Sequence, residues 1–319
     1  MRTYVECVPC FLRQTLEALR VVASEPSVHE RVMRETLRLA AGMRFDLPPP
    51  WMGQQIHRLV RRACGDADPY REAKRRSNAA ALRLYPRLKA HVDGSKDPFA
   101  TAVVLAIAGN VIDMGCTADL SDEDVRLAIH EAFTEPADLQ NVEALRRAMA
   151  EAKDILYLAD NAGEIVFDRL LIEHMPVDRT TLVVRGRPIL NDATREDAEA
   201  AGLTDMVEVI DSGTDVPGTI LDQCPAAFRE RFDLADLIVA KGQGNYETLS
   251  TERLHGDQRM FFLLKVKCAV VARDLGCRMG QAIVRECRGV PERGEIEPVD
   301  DFIDLRVFNV TDYSSSLAP

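Results

Sequence analysis

Asp154-Ile-Leu-Tyr-Leu-Ala-Asp-Asn-Ala-Gly-Glu164 is the stretch from which the fold of this chain follows. The apolar run 155–159 predicts a short buried strand. Asp160 and Asn161 fall where that strand ends, and Gly163-Glu164 open an amphipathic segment. In open α/β sheets, ligands sit outside the carboxyl ends of strands. Two adjacent side-chain oxygens at such a place suit a hard divalent cation, and the N-terminus of the next helix suits an anion. Taken alone, Asp-Asn-Ala-Gly is also the signature of an Asx turn capping a helix.

The same rhythm continues downstream. Further strands are predicted at 181–185, 207–210, 237–240 and 260–264, with helical segments near 163–174, 193–201, 219–231 and 245–253. Strands that are apolar without a break, alternating with helices, imply a mostly parallel sheet covered on both faces. Two later β-like runs, 281–285 and 302–310, have no assigned place. Upstream the pattern is helical: 11–23, 27–41 (opened by a capping box at Ser27-Val-His-Glu30), 51–64 closed by Gly65, 71–84, 99–111, 121–133 and 139–152. Lys74-Arg75-Arg76 reads as a solvated helix face. The fold class expected is α/β, with a helical N-terminal domain (1–150) packed on a Rossmann-like α/β/α domain (151–319) that carries the site.

Bulk properties narrow the function. The chain has 319 residues, 46% hydrophobic and 29% charged, with a formal net charge of −11. That is an ordinary globular composition, and its acidity argues against broad nucleic-acid or anionic-membrane partners, which need basic surface. No apolar stretch approaches a membrane span, and Met1-Arg-Thr-Tyr-Val-Glu-Cys7 lacks a secretory pattern. A cytoplasmic location is expected, with the 8 cysteines as reduced thiols.

Three predicted strands end in polar groups. The first supplies Asp160 and Asn161. The second leads into Arg185-Gly-Arg-Pro-Ile-Leu-Asn-Asp192, and the fourth into Lys241-Gly-Gln-Gly-Asn245. Parallel strands bring their carboxyl ends to one edge, so these residues can converge. Asp160, Asn161 and Asp192 offer hard oxygen ligands with two negative charges, leaving positions for water and a substrate phosphate around Mg²⁺, Mn²⁺, Co²⁺ or Ni²⁺. Lys241 adds a cation, and Gly242 and Gly244 let backbone N–H groups face an anion beside Asn245. Asn191-Asp192 could equally be a helix N-cap. Asn110 and Asp113, three apart on an apolar helix, could face the same cleft or simply end a helix at Gly115. Cys7 and Cys10 form a Cys-x-x-Cys pair read as structural or accessory, with bound metal or redox sensing as alternatives. Cys268 reads as a buried small hydrophobe.

Together these segments resemble the damage-control phosphatase family, metal-dependent phosphatases also described as acidic-residue methyltransferase-like. The likeness rests on Glu6-Cys-Val-Pro-Cys-Phe-Leu12, Gly109-Asn-Val-Ile-Asp113, Ala159-Asp-Asn-Ala-Gly-Glu164, Gly186-Arg-Pro-Ile-Leu-Asn-Asp-Ala-Thr194, Lys241-Gly-Gln-Gly-Asn-Tyr-Glu-Thr-Leu249 and Phe262-Leu-Leu-Lys-Val-Lys-Cys268. The cysteine pair resembles the microbial stand-alone subgroup. The resemblance implies a helical domain on a Rossmann-like domain, with Asp160, Asn161 and Asp192 as metal ligands and Lys241 as phosphate anchor. Asn110 and Asp113 would lie near the cleft.

The function expected is a metal-dependent phosphatase acting on small phosphomonoesters, sugar phosphates or damaged phosphometabolites, by metal-activated water. An aspartyl nucleophile at Asp160 or Asp192 is the variant within that class, disfavoured because the Asp-x-Asp signature is missing. Two other classes compete. One is an S-adenosylmethionine-dependent carboxyl methyltransferase, disfavoured because the first βα turn lacks a glycine-rich run. The other is a non-catalytic phosphometabolite-binding protein, which would have no need of the acidic set.

Overall fold

The computed structural model describes residues 1–109, 137–138 and 140–288. Asn110, Asp113, the helix expected over 121–133 and the run 302–310 lie outside the described residues.

One sheet organises the molecule. Its strands are β1 (Ala137–Asp138), β2 (Ile155–Leu158), β3 (Thr180–Val184), β4 (Glu208–Asp211), β5 (Leu237–Lys241), β6 (Arg259–Lys265) and β7 (Ala282–Arg288). Their spatial order is β1-β7-β6-β5-β2-β3-β4, with every neighbouring pair parallel except β6–β7. β2, β3 and β5 are buried at every position, which is why their sequences are mainly apolar without alternation, apart from Thr180 and Thr181 in β3 and Lys241 at the end of β5. β4 lies at the sheet edge and mixes exposed with buried positions. The run at 281–285 becomes the antiparallel β7, in register from Lys265–Ala282 to Arg259–Arg288.

Topology fixes where a ligand can sit. From β2 the chain moves outward through β3 to β4, then returns to the other side of β2 to lay down β5 and β6. The direction of winding therefore reverses between β2 and β5, and a crevice opens at their carboxyl ends. Asp160 follows β2 and the Lys241–Gly242 backbone ends β5, so both strand ends border that crevice.

Helices cover both faces of the sheet. On one side, α4 (Arg71–Asp93), α5 (Pro98–Ala108), α6 (Val142–Glu151) and α7 (Glu164–Ile172) share an apolar cluster with the sheet, including Leu88, Leu105, Leu145, Phe167, Tyr157, Val239 and Phe261. On the other, α9 (Ala226–Leu234), α10 (Gly242–Leu249) and α11 (Ala269–Leu275) pack Phe232, Leu249 and Val271 against Leu156, Ile238 and Phe262. The short α8 (Arg195–Ala200) follows β3. The first three helices, α1 (Cys7–Val22), α2 (Pro26–Ala41) and α3 (Pro49–Cys64), form a cluster of their own around Leu19, Val32, Ile56 and Val60. No helix among the described residues is long and apolar enough to cross a membrane.

Three local expectations change. The capping box at Ser27 does not form, because Pro26 is already the first helical residue and Glu25 the cap. α4 runs on through Pro86 to Asp93 instead of stopping near 84. Lys74 is no solvated residue: it is 4% exposed, and its ammonium pairs with Asp68 at 3.0 Å and Asp197 at 3.4 Å.

α3 is tied to the α/β core through Asp215, which follows β4. The buried Asp215 carboxylate accepts from Gln54 Nε2 (2.8 Å), Arg58 Nε (2.9 Å), Arg58 Nη2 (2.6 Å) and Arg61 Nη2. Burial alone would raise its pKa. The hydrogen bonds from Arg58, Gln54 and Arg61 outweigh that and hold it well below the usual carboxylate range. A depressed folded-state pKa gives stability that is complete above the ordinary carboxylate pKa and lost as pH falls toward the folded value. Urea unfolding at pH 7 should therefore show Asp215→Ala less stable by about 3 kcal/mol. The gap between wild type and variant should begin to narrow below about pH 4. A gap that widens on acidification contradicts the assignment.

Candidate active site

Two loops close on each other at the crevice. The backbone beyond β2 stays paired, with Ala159 N–H donating to Val183 C=O (2.9 Å). Then Ala193 N–H donates to Asp160 C=O and Ala162 N–H to Asn191 C=O, each at 2.8 Å, so that Asn161 and Asp192 form an isolated antiparallel bridge. Asp160, Asn161 and Asp192 are thus brought together, lining one cleft of about 600 Å³. Capping of α8 falls to Thr194, reciprocated by Asp197, so Asp192 is not the N-cap. The cap of α7 is Gly163, with φ +77°, and no side chain caps that helix. Asp160 and Asn161 are accordingly not a capping device.

The charge around these residues is unbalanced. Four buried carboxylates, Asp160, Glu164, Asp168 and Asp192, face two buried cations, Lys241 and Arg185. Arg185 Nε donates to Asp192 Oδ2 at 2.7 Å. The Lys241 ammonium donates to Glu164 Oε1 (2.6 Å), Asp168 Oδ1 (2.7 Å) and the Ala106 carbonyl (2.8 Å). Burial first, then the charges of Glu164 and Asp192, push Asp160 up, against smaller opposing pulls from Lys267 and Arg185. Asp192 is also raised by burial, with Arg185 opposing. Burial would lower Lys241, but Asp168 and Glu164 override it and keep the ammonium protonated.

This donor set fits a divalent cation. Bringing a double positive charge to the acids would balance the two negative charges they carry in excess once all four are ionised, and would reverse the cause of the raised pKa values. Asn161 Nδ2 donates to Asp160 Oδ2 and Glu164 Oε2, both at 3.0 Å, so the amide oxygen is the atom Asn161 can offer a metal. Among the described residues no three His, Cys, Asp or Glu side chains converge as a ready cage. What remains is an open set of two carboxylates and an amide, the type that water and substrate complete.

Lys241 does not reach the cleft. It is 0% exposed and held on three acceptors, so its place is behind the acids and not facing an anion. Gly242 has φ +78°, and a Cβ there would stand 1.9 Å from Asp160 Oδ2; the glycine makes room for the carboxylate. Gly244 lines the cleft. Asn245 is buried and bonds the backbone, donating to Lys241 C=O (2.8 Å) and Ala159 C=O (3.3 Å) while accepting from Thr219 Oγ1 (2.9 Å).

Cys7 and Cys10 line the same cleft, as does Cys268. Cys268 is more than a small hydrophobe: it caps α11, its sulfur accepting from Val271 N–H at 3.5 Å. Burial pushes the Cys7 and Cys268 thiols up, which keeps them protonated. Residues missed in the sequence include Glu164, Asp168 and Lys267. Glu164 and Asp168 are four apart around the apolar Ile165-Val-Phe167, a spacing that puts two acids on one buried helix face. Lys267 lines the cleft and acts on Asp160 electrostatically, marked in sequence only by the Lys-Val-Lys run that begins at the last residue of β6.

Comparison with known proteins matches the sequence to a family. The damage-control phosphatase ARMT1-like domain covers residues 3–283. The chain belongs to that family. A damage-control phosphatase of Archaeoglobus fulgidus is 36% identical over 284 residues, covering 88% of this chain and 97% of the relative. Another, from Pyrococcus horikoshii, is 34% identical across 89% of this chain and 97% of its own length. An uncharacterized protein of Methanocaldococcus jannaschii is 33% identical over 88% of this chain and 93% of its own. The crystal structure of a DUF89 family protein from Pyrococcus horikoshii superposes with a TM-score of 0.79 at 32% identity, covering 89% of this chain and 98% of that one.

Gly242→Ala tests the packing of Asp160. The variant combines a left-handed backbone position with a contact no Cβ tolerates. It should lose at least about 2 kcal/mol in denaturant unfolding. Wild-type stability in that variant contradicts the close approach.

Proposed function

We propose that this protein is a metal-dependent phosphatase that hydrolyses small phosphomonoesters, sugar phosphates or damaged phosphometabolites, with water as nucleophile. Its relatives named damage-control phosphatases support a hydrolytic, phosphatase-like role. The observation that carries the metal reading is the convergence of Asp160, Asn161 and Asp192 at the crevice, where four buried acids (Asp160, Glu164, Asp168 and Asp192) meet two buried bases (Lys241 and Arg185).

Asp160, Asn161 and Asp192 would hold the cation, which supplies Lewis-acid polarisation of the phosphoryl group and a water of lowered pKa. The protein contributes the rest. Arg185 orients Asp192, and Lys241 fixes Glu164, whose second oxygen in turn accepts from Asn161. Lys267 is a cation on the cleft side of this set, placed to neutralise phosphoryl oxygens together with the first amides of α10 near Gln243 and Gly244. Phe11, Pro49, Pro50 and Val270 wall the cleft and exclude water from the remainder of a small substrate. An adenosyl cofactor would require close approach to the turn after β2, and Asp160 packed over Gly242 fills that turn. That contact disfavours the methyltransferase alternative.

Phosphate release from an aryl phosphate, and from a panel of sugar phosphates, is expected only with Mg²⁺, Mn²⁺, Co²⁺ or Ni²⁺ and is expected to cease with chelator. Asp160→Ala and Asp192→Ala should each cost about 10³-fold in kcat, roughly 4 kcal/mol of transition-state stabilisation. Full turnover by folded Asp160→Ala protein would defeat the assignment.

A further inference from the structure

We propose that Asn78, a residue of α4, is a positioning residue for the cation centre, joining the two ligand-bearing loops through one side-chain amide. The inference rests on the metal reading above and concerns what holds its ligands in place.

Asn78 is 4% exposed. Its Oδ1 accepts from Gly163 N–H at 2.6 Å, two residues beyond Asn161. Its Nδ2 donates to Asp197 Oδ1 at 2.8 Å. The other oxygen of Asp197 accepts from Thr194 N–H and Thr194 Oγ1, both at 2.8 Å, two residues beyond Asp192. One planar amide therefore reaches the 160–163 loop with its acceptor and, through Asp197 in the first turn of α8, the loop that carries Asp192 with its donor. Lys74, one helical turn before Asn78 on the same face, pairs with Asp197 and lets that carboxylate stay buried.

The chemistry explains the residue type. An aspartate could still accept from Gly163 but would set a carboxylate against Asp197. An alanine would leave the Gly163 N–H and an Asp197 oxygen without this partner in a buried place. Ligands need to be held to about half an ångström for a metal site to work, and outer partners of ligands typically govern 10–100-fold in metal affinity. Backbone pairing at Ala162 and Ala193 sets which residues oppose; Asn78 sets how far the two loops can slide or part.

The experiment is calorimetric titration of the full chain with Mn²⁺, comparing wild type, Asn78→Ala and Asn78→Asp, each checked by circular dichroism and denaturant unfolding. Both variants should bind Mn²⁺ about 10–100-fold more weakly while remaining folded. In metal-free protein, hydrogen exchange at the Gly163 amide should be slow in wild type, faster in Asn78→Ala and still slow in Asn78→Asp, which keeps the acceptor. A merely structural residue would lower stability and leave Mn²⁺ affinity within twofold of wild type, and that result overturns the proposal. Wild type that binds Mn²⁺ while both variants bind it equally well defeats the positioning role alone. Wild type that binds no Mn²⁺ defeats the metal reading, and the positioning role falls with it. If neither variant folds, the wild-type measurement decides: fast exchange at Gly163 in the metal-free protein contradicts the hydrogen bond on which the proposal stands.

Discussion

Two backbone hydrogen bonds, Ala193 N–H to Asp160 C=O and Ala162 N–H to Asn191 C=O, zip the loop after β2 to the loop after β3. β2 and β3 are already parallel neighbours, and the bonds extend their association past the sheet edge in the opposite sense. Because opposed residues in such a bridge stand only about 5 Å apart, Asp192 is brought against Asn161 and beside Asp160. Neither loop could do this from elsewhere in the sheet. The reversal of winding between β2 and β5 supplies the open space in front of them.

Electrostatics turns that placement into a requirement. Carboxylates as buried as Asp160 and Asp192 are expensive to keep charged unless cations or hydrogen bonds meet them. Arg185 answers for Asp192 and Lys241 for Glu164 and Asp168, yet the buried acids still outnumber the buried bases. Lys241, with Tyr157 donating to Asp168 at 2.8 Å, makes a rigid floor beneath the cleft. Positive charge brought from the cleft side would lower the cost of keeping these clustered acids ionised.

How much of this was legible in the sequence differs by element. β2, β3 and β5 were plain because strands buried on both faces leave largely apolar runs. Parallel topology led to the expectation that 160, 161, 192 and 241 meet at one edge, whereas the bridge that closes the first two loops on each other had no mark in the sequence. The role of Lys241 was not legible. A lysine after a strand and before Gly-Gln-Gly looks like an anion anchor, and only coordinates reveal Glu164, Asp168 and the Ala106 carbonyl already holding it. Lys74 misled for the same reason: in a run of basic residues, the one facing Asp68 and Asp197 carries no local mark of burial. Asn78 is similarly silent, because its partners lie 85 and 119 positions away. β7 could be seen as a strand, but its antiparallel direction depends on how the chain turns after α11, which no periodicity encodes.

The central claim is that Asp160 sits in a buried acidic cluster that a divalent cation from the cleft is needed to balance. Its most direct test is a carbon-13 carboxyl titration of Asp160 by nuclear magnetic resonance, with and without Mg²⁺. In metal-free protein the carboxyl should hold its proton well above the ordinary acid range, because burial, Glu164 and Asp192 all oppose ionisation. With Mg²⁺ bound it should ionise at much lower pH. Titration of Asp160 near pH 4 in the metal-free protein, or a curve that Mg²⁺ leaves unmoved, would contradict the account.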